Sequence, residues 1–177
     1  MAAMFADYQP DAHADPLPVE IRALTDADID ECAALAAERN GLDRATWSRA
    51  FRDHLTLDTH QTFVAVHTGR VVGYATVAWM TPSRELGGFN APDGWYLTGL
   101  VVDPNWRRRG VGLGLTETRL EWLASRTHDV WYFANTVNRA SLDLHTRLGF
   151  HEVTSDFGIP GVQFSGGTGV LFLKHWE

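Results

Sequence analysis

Hydrophobic spacing in the first half of the chain switches between the periods of strands and helices. PVEIRALT alternates apolar and polar positions and predicts a first strand. DADIDECAALAAERNGL and DRATWSRAFRDHL repeat apolar residues at helical spacing, so two helices are expected, the first ending at Asn40 and Gly41. TFVAVHTGRVVGYATVAWM returns to strand character, with a hairpin turn at residues 67–70.

The second half continues the alternation of strands and helices. TPSRELGGFNAPDG is rich in proline and glycine and predicts a loop that overhangs a site. Residues 95–102 predict a strand, and a helix with an apolar face that includes Val111, Leu115 and Trp122 follows it. VWYFAN predicts a buried strand, residues 138–148 a short helix, and TGVLFLKHW a last strand.

The resulting order of elements is β-α-α-β-β-β-α-β-α-β, which predicts an α/β fold built on one mixed sheet. Nothing in the composition marks a second domain, so one domain is expected over residues 19–177. Residues 1–18 are rich in Ala, Asp and Pro without periodicity, and we expect a flexible N-terminal arm there.

Composition then narrows the functional classes. Of the 177 residues, 45% are hydrophobic, which excludes wholesale disorder and allows a buried core. The formal net charge of -7 argues against a protein whose main task is to bind nucleic acid. The N-terminus does not resemble a signal peptide, and no apolar run is long enough to span a bilayer. A soluble, cytoplasmic protein without a membrane partner is therefore expected.

Two kinds of chemistry are disfavoured by the Cys and His residues. The single cysteine, Cys32, lies among alanines on the first predicted helix and is a poor candidate for a covalent acyl carrier. His54, His60 and His67 lack the spacing that would place metal ligands on a common face, so no metal site is expected.

LVVDPNWRRRGVGLGL is the segment with the strongest chemical signal. A strand, three arginines, a glycine turn and a helix follow one another, and such a helix start can bind phosphate through converging backbone N–H groups. The Gly-Lys-Ser or Gly-Lys-Thr of a P-loop is absent, and the third glycine of a dinucleotide site is replaced by Leu115. Arg107, Gly110 and Gly112 instead satisfy the pattern of an acyl-CoA pyrophosphate turn, Arg or Gln, two residues, Gly, one residue, then Gly or Ala.

Gly99 interrupts the otherwise apolar strand LTGLVV. Glycine inside a strand costs about 0.5–1 kcal/mol relative to alanine unless the local geometry requires it. A bulge or a close ligand approach is therefore expected at this position, and a glycine that only makes room for Trp95 or Trp131 is the alternative.

The pyrophosphate pattern, followed by NTVNRASLDLHTRLGF, resembles the GNAT superfamily of N-acetyltransferases over residues 97–150. The resemblance implies a GNAT-like mixed sheet with a splayed strand pair that forms the slot for acetyl-CoA. It also implies a backbone N–H, that of Leu100, that polarises the thioester carbonyl. The cofactor-binding residues that it implies are Leu100, Val101, Val102, Arg107, Arg108, Arg109, Gly110, Val111, Gly112, Leu113, Asn138, Ser141 and His145.

The chain departs from the family pattern at three positions. His145 replaces the usual tyrosine and Ser141 the usual alanine, while Tyr96 stands where some members carry a glutamate base. His145 is therefore a candidate to protonate the leaving thiolate, and a residue that only hydrogen-bonds the cofactor or water is the alternative. The candidates for the base that deprotonates the amine are Glu85, Asp93 and Tyr96, with a chain of water molecules as the alternative.

Together these features predict an acetyl-CoA-dependent N-acetyltransferase. The expected reaction is direct transfer in a ternary complex to a primary amine of a small molecule. A non-catalytic acyl-CoA sensor, an enzyme acting on a protein or peptide N-terminus, and an acyl chain longer than acetyl remain as alternatives, and a homodimer is left open.

Overall fold

The computed structural model describes residue 15 and residues 18–82 and 91–177. Seven strands form one sheet in the order β1-β2-β3-β4-β5-β7-β6. The strands are β1 Glu20–Ala23, β2 His60–His67, β3 Arg70–Met80, β4 Gly94–Val102, β5 Asp129–Asn135, β6 His151–Thr154 and β7 Gly169–His175. The helices are α1 Ile29–Asn40, α2 Arg44–Thr56, α3 Val111–Ala124 and α4 Arg139–Arg147.

The sheet is mixed, as the order of elements predicts. Strand β4 runs parallel to β5, with Trp95 opposite Val130 and Leu97 opposite Tyr132. The pairs β1–β2, β2–β3, β5–β7 and β6–β7 are antiparallel. The predicted α/β fold class is confirmed, whereas the splayed strand pair stays a prediction.

Strand β6 is the element that the hydrophobic pattern does not predict. Its four residues, HEVT, are mostly exposed, and they pair with β7 at the end of the strand order. A short edge strand with no buried face carries no hydrophobic alternation, so its position is decided by the neighbouring strand.

The predicted stops and turns of the first half are confirmed by the backbone. Gly41 has a φ of +74° and ends α1, and its N–H donates to the carbonyl of Ala37. Thr68 and Gly69, with φ of +46° and +79°, form the tight turn between β2 and β3. Two consecutive positive φ values are the feature of a type I′ hairpin turn, which matches the twist of the strands that it joins.

The chain divides into two compact units. The first, called here the turn unit, comprises the described residues of 12–78 and 98–125. Cys32, Ala36, Phe51, Val64 and Tyr74 form a buried cluster among its helices α1 and α2 and its strands. The neighbouring strand positions Phe63 and Ala65 pack instead with Val111 and Leu115 of α3. Side chains along β2 therefore alternate between two helical layers.

The second unit, called here the α4 unit, comprises the described residues of 79–97 and 126–177. Strand β5 pairs with β7 along its whole length, from Asp129 opposite His175 to Asn135 opposite Gly169. Its core is rich in aromatic side chains, and Tyr96 packs with Ile159, Leu171, Trp131 and Phe133. The extents of the predicted domain and of the N-terminal arm stay predictions.

Candidate active site

The turn before α3 has an unusual backbone. Arg108 has a φ of +62° and Gly110 a φ of +83°, and the helix begins at Val111. Arg109, between them, is not a positive-φ residue, so left-handed and ordinary conformations alternate along the turn. Such alternation points successive backbone N–H groups to the same side and creates a concavity that binds anions. The turn therefore has the geometry of a phosphate-binding site at a helix start.

Two of the three arginines brace this turn from within the turn unit. Arg107 donates from Nε to the carbonyl of Val102 at 3.4 Å, and Arg109 donates from Nη1 to the carbonyl of Asp15 at 2.9 Å. Asp103 accepts from the N–H of Asn105 at 2.9 Å. These contacts fix the backbone that connects β4 to α3.

The space around Gly112 fits an anionic group close to the backbone. A Cβ at Gly112 would lie 3.9 Å from Leu100 and Val102, which is an ordinary contact distance, and glycine leaves the backbone here without a side chain of its own. The first turn of α3 contains no acidic side chain that would repel a phosphate. Leu113, at the same turn, is 41% exposed, whereas Val111 is buried. The residues present therefore fit the pyrophosphate of an acyl-CoA at the predicted positions 107–113.

Gly99 adopts a positive φ of +46° within β4. A Cβ there would meet Tyr74 and Thr76 at 3.7 Å and 3.8 Å, which are ordinary contact distances. The backbone conformation, and not a lack of space, therefore requires glycine. After Gly99, the side chains of Leu100 and Val102 pack with the cluster that includes Leu115 of α3. Val101 packs with the cluster that includes Cys32 of α1.

Sequence reasoning missed Arg119, which is 1% exposed and lies on α3. Its Nη1 donates to the carbonyls of Thr76 and Thr98 at 3.2 Å and 3.0 Å, and its Nη2 donates to Oγ1 of Thr116 at 2.9 Å. The available signal is that position 119 follows Leu115 by one helical turn, on the apolar face. A charged residue there marks a buried polar site.

In the α4 unit, the short helix predicted over residues 138–148 is present as α4, and it is capped at both ends. Asn138 caps α4 by accepting from the N–H of Ser141 at 3.4 Å. Gly149 has a φ of +88°, and the N–H of Phe150 donates to the carbonyl of His145 at 3.1 Å. This is the Schellman arrangement, which satisfies the last carbonyls of a helix.

His145 is 1% exposed and is held by its neighbours within the α4 unit. Its ring stacks on Tyr132 with the centroids 3.7 Å apart, and its Nδ1–H donates to the carbonyl of Ser141 at 2.8 Å. Tyr132 and Ser141 share a hydrogen bond of 2.6 Å between their hydroxyls. With the proton on Nδ1, the Nε2 of a neutral imidazole is an acceptor and has no proton to donate. This arrangement favours a packing role over proton transfer, although the catalytic assignment stays a prediction.

Tyr96 has 0% exposure, and its hydroxyl donates to the carbonyl of Pro92 at 2.6 Å. Burial, with a smaller effect from Asp93, raises the pKa of the Tyr96 hydroxyl well above its usual value. Both features count against Tyr96 as the base that deprotonates an amine. Of the other two candidates, Glu85 lies outside the described residues, and Asp93 stays a prediction.

The remaining chemical candidates lie in the turn unit. Cys32 has 0% exposure, and burial raises the pKa of its thiol to about 12, so the nucleophilic thiolate is strongly disfavoured.

Within residues 15, 18–82 and 91–177, no group of three or more His, Cys, Asp or Glu side chains could hold a metal ion. None of the helices formed by these residues is long and apolar enough to cross a membrane.

Comparison with known proteins identifies the family. The model of the acetyltransferase (GNAT) family matches residues 24–150. Because this match covers more than half of the chain, the protein belongs to the GNAT acetyltransferase family. It is an acyltransferase of the class that acts on amine substrates, and the resemblance noted in the sequence is confirmed.

Two curated relatives align with most of this chain. N-alpha-acetyltransferase RimI of Mycobacterium tuberculosis is 32% identical over 141 residues, which are 79% of this chain and 83% of that protein. An uncharacterised protein of Mycobacterium leprae is 29% identical over 149 residues, or 82% of this chain. The aligned part is 39% of the M. leprae protein, so the chain spans about two fifths of that relative's length.

Solved structures confirm the fold. A ribosomal-protein-alanine N-acetyltransferase from Brucella melitensis superposes with a TM-score of 0.67 at 24% identity, covering 89% of this chain and 99% of that one. Arabidopsis thaliana NAA60 in complex with acetyl-CoA has a TM-score of 0.67 at 16% identity, covering 89% and 98% of the two chains.

Proposed function

We propose that this protein is an acetyl-CoA-dependent N-acetyltransferase whose acceptor is the α-amine of a peptide or protein N-terminus. The main support for acetyl-CoA binding is the turn before α3, in which Arg108 and Gly110 have positive φ values and the helix begins at Val111. The acceptor is supported by the 32% identity to the M. tuberculosis N-alpha-acetyltransferase. A cytoplasmic location, which we expect for this chain, would give it access to new protein N-termini.

In this proposal the turn binds the pyrophosphate mainly through backbone N–H groups. The donors lie between Arg108 and Leu113, and the lack of a side chain at Gly112 allows the phosphate oxygens to approach the backbone. The positive end of the α3 dipole adds a favourable field. The Arg108 side chain is exposed and adds positive charge, whereas Arg107 and Arg109 are used largely to brace the turn.

Acetyl-CoA supplies, when bound, an acetyl group activated as a thioester. The role that we propose for this chain is to polarise the carbonyl of that group through the backbone N–H of Leu100. Gly99, with its φ of +46°, directs this N–H away from the regular strand geometry. A donor fixed in advance at a developing oxyanion is worth about 100- to 1000-fold in rate.

Neither Tyr96 nor His145 is proposed as the amine base. The Tyr96 hydroxyl is buried and bonded to a carbonyl, and the His145 imidazole is buried against Tyr132. Glu85 and Asp93 remain candidates, together with proton release through water. In the α4 unit, the Asn138 and Ser141 side chains make the contacts that shape α4 and hold Tyr132.

A small-molecule amine with an apolar part is the second candidate acceptor. Trp79 is 42% exposed and meets Trp95 in an edge-to-face contact with centroids 5.7 Å apart. This pair offers an apolar surface within the α4 unit that a small amine can contact. The surface suits the apolar part of a small amine, and an apolar side chain of a peptide can contact it as well.

The test is a thiol-release screen with purified protein, acetyl-CoA and two sets of amines. We expect saturable release with peptides that carry a free α-amine, and none above the buffer rate with the same peptides blocked at the N-terminus. Saturable release only with small amines would replace the peptide by the second acceptor. Tight acetyl-CoA binding without release for any amine would favour a non-catalytic sensor.

A further inference from the structure

The guanidinium of Arg119 joins β3 and β4 at the point where β4 departs from regular geometry. It donates to the carbonyl of Thr76 on β3 and to the carbonyl of Thr98 on β4. Thr98 directly precedes Gly99, whose φ is +46°. A peptide carbonyl next to such an irregularity needs a donor when it is buried, and Arg119 supplies a charged one.

The bond to Thr98 acts on the donor used in the proposed function. The peptide between Thr98 and Gly99 is planar and trans, so a hydrogen bond to its oxygen restrains the orientation of the peptide plane. The direction of the following N–H, on Leu100, then depends on the φ and ψ of Gly99. The bond from Arg119 therefore restrains one end of the backbone segment that orients the Leu100 N–H.

The same guanidinium is tied to the first turn of α3. Its Nη2 donates to Oγ1 of Thr116, which in turn donates to the carbonyl of Gly112 at 2.8 Å. A buried arginine is expensive to desolvate, and packing alone is satisfied by an apolar side chain of similar volume. The desolvation cost of burying Arg119 is consistent with a residue that restrains the backbone at Thr98 and Gly99.

We propose that Arg119 is a positioning residue for acetyl transfer, holding the Thr98–Gly99 peptide so that the Leu100 N–H faces the acyl oxygen. This inference rests on the proposed function and adds a residue that the pyrophosphate pattern does not include. It assigns Arg119 an effect on the chemical step that acts through β4.

The experiment compares Arg119→Met, Arg119→Lys and the wild-type protein. Methionine keeps an unbranched apolar stem and removes all donors, so kcat should fall by about 10- to 100-fold, the scale expected for a misaimed oxyanion donor. Lysine keeps a charged donor that can reach one carbonyl, and it should recover part of that loss. The KM for the amine should change much less than kcat.

Leu123→Ala provides the matched control for stability. Leu123 lies one turn further along α3 and has 0% exposure, and its truncation leaves a cavity without touching the Thr76 and Thr98 carbonyls. If Arg119 only stabilises the fold, Arg119→Met and Leu123→Ala should lower kcat equally at equal loss of thermal stability. A fall specific to Arg119→Met supports the proposal.

A second measurement does not depend on turnover. The amide NMR signals of Gly99 and Leu100 should move in Arg119→Met, and the Leu100 amide shift that acetyl-CoA causes in the wild type should be lost. If Arg119→Met does not fold, kcat and the amide signals are measured on Arg119→Lys instead. A kcat within about threefold of wild type, far below the loss expected from a misaimed donor, together with unchanged Gly99 and Leu100 signals would overturn the proposal. If the wild-type protein acetylates no amine, the proposed function is overturned instead. The Leu100 amide signal in Arg119→Met would then still show whether Arg119 restrains the backbone at Gly99 and Leu100.

Discussion

The turn at residues 107–112 and the helix α4 carry the two family motifs, but they use different atoms. The turn presents backbone N–H groups, and its side chains Arg107 and Arg109 bond to backbone carbonyls. Helix α4 presents a packed ring, His145, stacked on Tyr132 at 3.7 Å. Both regions use a glycine with a positive φ, Gly110 before α3 and Gly149 after α4.

The contrast separates a region suited to a ligand from a region whose observed hydrogen bonds lie largely within one helix. At Gly112 a Cβ would meet its nearest atoms at the ordinary contact distance of 3.9 Å. In α4, the cap at Asn138 and the bond from Nδ1 of His145 to the Ser141 carbonyl join groups of the helix itself. Substitutions in the turn should therefore change cofactor binding, and substitutions in α4 should change stability.

The largest effect is expected for Gly112→Asp. A carboxylate placed beside the pyrophosphate should weaken acetyl-CoA binding by about 100-fold or more, since like charges at close range cost about 1–4 kcal/mol each. Thermal stability should be retained, because a Cβ at this position meets no atom closer than 3.9 Å and an acidic residue suits the start of a helix. Calorimetry measures the affinity, and Gly112→Asn is the neutral control of equal size. Unchanged affinity in folded Gly112→Asp would remove the cofactor from this turn.

The next effect is expected for Gly149→Ala, at the end of α4. Its φ of +88° penalises a side chain, and the new Cβ would lie 3.0 Å from Nζ of Lys174, which donates to the Leu148 carbonyl. We expect a loss of about 1–2 kcal/mol in urea unfolding. Gly41→Ala is the control: its φ is +74° and no atom lies within 4 Å of the new Cβ, so this variant adds only the backbone strain. Equal losses in the two variants would show that Lys174 adds no constraint.

Arg108→Gly tests whether the turn binds through its backbone. Glycine accepts the φ of +62° without strain and deletes one exposed charge. Acetyl-CoA affinity should fall by no more than about tenfold, the scale of a single charge-assisted contact, and Arg108→Lys should fall less. A loss comparable with that of Gly112→Asp would mean that the arginine side chains, and not the N–H groups, form the site.

The smallest effect on rate is expected for His145→Phe. Phenylalanine keeps the stacking on Tyr132 and loses the bond from Nδ1 to Ser141, so stability should fall by about 1 kcal/mol. Turnover should stay within about threefold of wild type, well short of the 100-fold minimum expected of a general acid. A loss of 100-fold or more, partly recovered by His145→Tyr, would restore the catalytic assignment and end the contrast between the two regions.

Local signals were sufficient for the motifs that depend on backbone conformation. Gly41 ends a helix at positive φ, as its position after an apolar repeat predicts, and Gly110, which belongs to the pattern of Arg107, Gly110 and Gly112, also has a positive φ. These features depend on residues within one turn of each other. Interactions so close in sequence need no knowledge of the rest of the chain.

The sequence was sufficient to predict the α/β class, the family and a glycine turn before α3, whose role in binding an anion stays a proposal. Only the folded chain shows that Tyr96 and His145 are buried, and that Arg119 reaches the carbonyls of Thr76 and Thr98. Arg119 and Thr76 are 43 positions apart in the sequence. The role of such a side chain depends on its burial and on its hydrogen-bond partners. Segments distant in the sequence provide both only when the chain folds.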